Sequence, residues 1–226
     1  ALDPAALGSE VHKLLESCDL SAGPSGLEPA LAALDPDLAA AARPLAAGVW
    51  DTDLVHLVQG LPASHFLREQ PFRLWLPPAM GTPGVEVIGE LDLLIVRPAP
   101  EKPVIVDYKV TPHIDPAHYR DQLALYALAL WSADPASPPP RTCLCYLREA
   151  GAKLVELKFS AEDLSDLRRR IIQAASQMAS LAPDVKPTDL PRGEGCAECA
   201  LVGHGLCTDV DQELGLKSGT WRRLDG

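Results

Sequence analysis

Two aspartates stand fifteen residues apart, Asp92 and Asp107, each inside an apolar run, and Lys109 stands two residues after the second. Carboxylates hold hard divalent cations, and an ammonium beside them can orient a water or stabilise extra negative charge. This trio is therefore the set that metal-assisted phosphodiester hydrolysis needs. The alternative for the same residues is a buried salt bridge between Lys109 and one of the aspartates. Either way, a carboxylate in an apolar strand is costly unless a cation or strong donors stand beside it.

The tripeptide Asp-x-Lys carries nothing alone: eighteen aspartates and seven lysines in 226 residues would give about 0.6 copies by chance. A second copy, Asp184-Val185-Lys186, lies between Pro183 and Pro187 with no strand before it, so its carboxylate should face water. Context separates the two copies, and the context is a set of elements.

Residues 85–96 (VEVIGELDLLIV) read as a strand whose second half is covered on both faces, and residues 104–106 as a buried strand ending in Asp107-Tyr108-Lys109. Residues 115–131 read as a helix with Asp115 as cap and Pro116 at its first position. Tyr119, Gln122 and Tyr126 would share one face of it. Residues 66–76 end in an alternating strand, and a Pro/Gly loop follows at 77–84. Residues 142–147 and 153–159 make a hairpin, and a final amphipathic helix over 160–181 is capped by Ser160, with Leu164, Leu167 and Ile171 in its stripe. Its Arg168–Arg170 run reads as a solvated face.

Upstream, residues 4–17 form a helix with Leu7, Val11, Leu14 and Leu15 on one face, and His12 beside that face reads by itself as a half-buried histidine. Residues 21–28 read as a loop. The Ala- and Leu-rich stretch to residue 61 reads as a helical insertion, with Asp35-Pro36-Asp37 as a start and Gly48 and Gly60 as stops. Asp51, Asp53 and His56 fall at mixed spacings there and suggest no ligand set.

A net charge of −11 argues against broad non-specific binding to nucleic acid, so attraction to a polyanion would have to be local or supplied by a partner. No apolar run reaches the length of a membrane span and no signal segment opens the chain, which points to a cytoplasmic protein. Opening on Ala1 suggests a domain excised from a longer chain. In a reducing compartment Cys196, Cys199 and Cys207 read as metal ligands rather than as disulfides.

GELDLL, VIVDYKV and YRDQLALYALAL closely resemble the RecB-type nuclease domain of the PD-(D/E)xK superfamily. There a Gly-x-(Ile/Leu)-Asp strand, an Asp-Tyr-Lys strand end and a Gln-x-x-x-Tyr helix form the active site. LGSEVHKLLE resembles the helix that brings the family's metal-binding histidine, and Glu69 ahead of Pro71-Phe72 resembles a glutamate before the first core strand. The resemblance implies a restriction-endonuclease-like α/β fold, a mixed sheet flanked by helices with a helical insertion at about 20–65. It implies one domain over 1–207, with the cysteine-bearing segment at 190–207 and a tail at 208–226. It makes His12, Asp92, Asp107 and the Tyr108 backbone carbonyl ligands of Mg²⁺ or Mn²⁺, with Lys109 catalytic and Gln122 and Tyr126 supporting. Tyr119 matches the family's Tyr-x-x-Gln spacing.

The activity implied is a DNA exonuclease acting on ends or single strands in double-strand-break repair and recombination. Its partners would be DNA and a helicase motor, in the same chain or in a partner subunit of the AddA or RecB sort. A catalytically silent DNA-binding or helicase-docking module is the competing reading. The cysteine trio resembles the last three ligands of the family's 4Fe–4S cluster; zinc and a metal-free knuckle are the alternatives. Cys18, His204 or an upstream residue would be the fourth ligand.

Overall fold

The structure, a computed structural model, describes residues 4–78, 84–148 and 151–180. The chain divides into two units, Ala1–Ala175 and Ser176–Gly226; of the second, only 176–180 are described. The Asp184 copy of Asp-x-Lys, the cysteines Cys196, Cys199 and Cys207, His204 and the tail lie outside the described residues.

Five strands form one sheet in the order of the sequence: β1 (Phe66–Leu76), β2 (Val85–Ile95), β3 (Val104–Val110), β4 (Arg141–Leu147) and β5 (Lys153–Leu157). All neighbours are antiparallel except β3 and β4, which run parallel. Parallel neighbours need a long crossover, and helix α5 (Arg120–Trp131) lies in it. This is the mixed sheet flanked by helices that the sequence implied.

Each face of the sheet carries its own core. On one face α1 (Pro4–Ser17) lays down Val11, Leu14 and Leu15. The helical stretch that follows, α2 (Glu28–Leu31), α3 (Pro36–Ala47) and α4 (Leu54–Val58), adds Leu31, Leu45 and Leu54 against Val104, Val106, Cys143 and Cys145. On the other face Leu123, Ala127 and Leu128 of α5, with Leu164 and Leu167 of α6 (Ala161–Ala179), pack on Leu74, Leu144 and Tyr146. β4 is covered on both sides and is buried from Thr142 to Leu147. That explains its nearly unbroken apolar run.

The caps account for most boundaries. Asp35 accepts the Asp37 amide at the start of α3 with Pro36 at the first helical position, and Gly60, at φ 77°, follows α4. Ser160 and Asp163 satisfy each other's amides at the start of α6. Two expectations need correction. Residues 20–27 are not a loop but two 3₁₀ turns broken at Gly23, φ 67°, with Pro24 fixing the next residue. Helix α5 begins at Arg120 rather than 115, because Asp115 spends its carboxylate on the amides of Ala117 and His118 in a preceding turn. Tyr119 then leaves helical geometry at φ −100°, ψ 4°. Among the described residues no helix is long and apolar enough to cross a membrane.

Candidate metal and nuclease site

β2 and β3 pair over only three rungs, Ile95↔Val104, Leu94↔Ile105 and Leu93↔Val106. The next rung would put Asp92 beside Asp107, and there the ladder stops. The Asp92 carboxylate takes the place of the missing rung: Oδ2 accepts the Tyr108 amide at 2.7 Å. On the other side of β2 the register with β1 carries Arg68↔Leu93 and Gln70↔Leu91, so Glu69 is the residue opposite Asp92. Three carboxylates on three neighbouring strands therefore share one row.

The alternation of the strands changes phase at this row. Phe66 and Leu74 have the same parity on β1 yet enter opposite cores. On β2, Leu91 and Leu93 likewise enter different clusters. Glu69 absorbs the change with φ at 42°, which a non-glycine residue adopts only against a steric cost.

Helix α1 delivers His12 to the same place. Its Nδ1 is 3.4 Å from Asp92 Oδ2, and its ring stands edge-on to the Tyr108 ring, with centroids 6.1 Å apart. One ligand atom each from His12, Glu69 and Asp92 lie within 4.8 Å of one another. Burial lowers the His12 pKa, against the opposing pull of Asp107 and a backbone hydrogen bond with Tyr108. The imidazole therefore favours the neutral form that a metal needs. Burial and the Asp107 charge push Asp92 up to about 7, and burial and Asp92 raise Glu69. A set of carboxylates that oppose each other's ionisation, next to a neutral imidazole, suits a hard divalent cation, whose charge would reverse those shifts.

Asp107 stands on the other side of the row. Its Oδ2 is 2.8 Å from Lys109 Nζ, its Oδ1 accepts from Gln122 Nε2 at 3.2 Å, and burial raises its pKa against the pull of Lys109. Gln122 ties the network together: its Oε1 accepts from Lys109 at 3.2 Å and its Nε2 also donates to the Tyr126 hydroxyl at 2.8 Å. The late start of α5 leaves these spacings intact. A cleft of about 460 Å³ opens beside the row, lined among others by Ser9, His12, Lys13, Glu69, Lys109 and Tyr119.

The structure thus gathers His12, Asp92, Asp107, Tyr108, Lys109, Gln122 and Tyr126 in one place and adds Glu69. Asp107 belongs to the lysine side, while Glu69 completes the three-residue group with His12 and Asp92. Residue spacing could not reveal Glu69, because its role depends on the β1–β2 register; only the resemblance pointed to it. The salt-bridge alternative also holds, in that Asp107 and Lys109 are paired. Cys18 is 1% exposed, packed in the core beside α1, and burial pushes its thiol up to about 11.

Comparison with curated proteins gave no match. Among solved structures, one titled "Crystal structure of SSO0001" is 17% identical, covers 76% of this chain and 76% of its own, and superposes with a TM-score of 0.37. A family model described as the PD-(D/E)XK nuclease superfamily matches residues 1–203. With most of its length matched, the chain belongs to the PD-(D/E)XK nuclease superfamily.

Proposed function

We propose that the chain is a Mg²⁺- or Mn²⁺-dependent deoxyribonuclease of the RecB type, cutting DNA ends or single strands for a helicase motor that processes double-strand breaks. The observation that carries this reading is the row Glu69–Asp92–Asp107, with a neutral His12 at one end and the Lys109–Gln122–Tyr126 network at the other. His12, Glu69 and Asp92 would hold the cation, joined by Asp107 and the Tyr108 carbonyl. The cation would supply an activated water and neutralise charge on the scissile phosphate.

The chain's own residues do the rest. Lys109 exchanges its contact with Asp107 for the phosphate or the attacking water and stabilises the charge added in the transition state. Gln122 keeps Asp107 and Lys109 in line while that exchange occurs, and Tyr126 fixes the amide of Gln122. The nuclease domain would extend over 1–207. Cys196, Cys199 and Cys207 would hold a 4Fe–4S cluster with Cys18, His204 or an upstream residue as the fourth ligand; iron and sulfide analysis of anaerobically purified protein checks this.

The test is degradation of single-stranded DNA with Mg²⁺ or Mn²⁺ by wild type and by Asp107→Ala. Cleavage by the wild type alone supports the reading; equal cleavage by both overturns it.

A further inference from the structure

We propose that Tyr119 is the positioning residue of Lys109, acting through its ring face. The inference rests on the nuclease reading for its catalytic consequence but not for its geometry. Lys109 Nζ lies 4.4 Å from the centroid of the Tyr119 ring, within the range in which an ammonium is attracted by the negative face of an aromatic ring. The other two partners of the ammonium are Asp107 and Gln122, so carboxylate, amide and ring enclose it from three directions. Lys109 has a side-chain exposure of only 17%, which strengthens the attraction by removing competing water.

The backbone is arranged for this contact. Tyr119 stands outside α5 at φ −100°, ψ 4°, one residue before the helix begins. Its ring meets His118 edge-on at 4.7 Å and the tilted ring of Tyr146 at 6.5 Å, both between centroids. The buried Tyr146 anchors that side. Tyr119 also lines the cleft with Lys109. Of the three partners, Asp107 is the one a cation would claim. The ring face is no ligand for a hard cation, so it keeps the ammonium aimed into the cleft when Asp107 changes partner. The hydroxyl plays no part in this, and a phenylalanine should serve equally well in its place.

Two measurements test the proposal. First, without divalent cation, selective ¹³C labelling of lysine should show the Lys109 ε-methylene protons shifted upfield by the ring current in wild type and in Tyr119→Phe, and returned to the ordinary lysine position in Tyr119→Leu. Second, on single-stranded DNA with Mn²⁺, Tyr119→Phe should keep the wild-type kcat. Tyr119→Leu should lose about 3- to 30-fold in kcat with KM unchanged, and fluorination of the ring introduced by Tyr119→Phe should lower kcat step by step with the fluorine count. An absent upfield shift in wild type overturns the contact. A Tyr119→Leu kcat equal to wild type, or a loss in Tyr119→Phe matching that in Tyr119→Leu, overturns the positioning role. Failure of the nuclease reading shows separately, as a wild type that cuts no DNA while the methylene shift is present.

Discussion

Glu69 and Asp92 hold opposite positions in the β1–β2 register, where the ladder skips a rung, and His12 lies within 4.8 Å of both. Like charges directly opposite in an antiparallel pair destabilise it, and the left-handed backbone at Glu69, φ 42°, adds strain of order 1–3 kcal/mol. A cation would offset both costs at once. Replacement by Gln should therefore separate stability from binding. Glu69→Gln should raise Tm in EDTA at pH 8 by an amount equivalent to about 0.5–1 kcal/mol, and should shrink the rise in Tm that Mn²⁺ produces. Thermal melts in both conditions decide it; an unchanged Mn²⁺ response would remove Glu69 from the ligand set.

Asp92 gives the site a pH signature. Its folded pKa, pushed up to about 7, exceeds the unfolded value of 3.8, so the folded state holds the extra proton. The stability it contributes is complete below pH 4 and is lost as pH rises through about 7, up to about 4 kcal/mol for a shift of this size. Asp92→Asn should therefore flatten the fall in stability between pH 4.5 and 7.5 in EDTA-treated protein. Urea titrations at three pH values measure this, and parallel wild-type and variant curves would contradict it.

Lys109 and Asp107 form a pair with side chains only 17% and 2% exposed. Removing the ammonium leaves a carboxylate buried without its cation, at a cost of about 3–5 kcal/mol. Lys109→Met should show that loss in EDTA and recover part of it in Mn²⁺. Its DNA cleavage should fall about 10²- to 10³-fold with DNA affinity kept, as measured by anisotropy. Cleavage at the wild-type rate would exclude Lys109 from the chemistry.

Gln122 and Tyr126 are graded members of the same network. Tyr126→Phe removes one hydrogen bond, at 2.8 Å from Gln122, and should cost about 0.5–1.5 kcal/mol. Gln122→Leu strips a partner from Lys109, Asp107 and Tyr126 together and should cost more in both stability and kcat. The reverse order of the two variants would show that the amide is not the hub.

Much of this was legible in sequence because periodicity and chemistry agreed. The apolar runs around Asp92 and Asp107 gave two buried strands, and the spacing of Gln122 and Tyr126 gave one helix face. The start of α5 was not legible, since Asp115-Pro116 caps a turn as well as it caps a helix, and only the placement of Tyr119 decides between them. Glu69 escaped a reading of spacing because cross-strand register leaves no mark in a local pattern. His12, some eighty residues before Asp92, looked on its own face like an ordinary half-buried histidine, and resemblance alone brought it to the site.

The three rungs between β2 and β3 act as a ruler. Where the zip ends sets how far the Asp92 and Asp107 backbones diverge, and so the width of the gap their carboxylates must span. The gauge is written in Leu93, Leu94, Ile95 and their partners Val104, Ile105 and Val106, none of which touches the chemistry. Changes in those six apolar side chains could retune the site for an ion of another radius while every ligand stays in place.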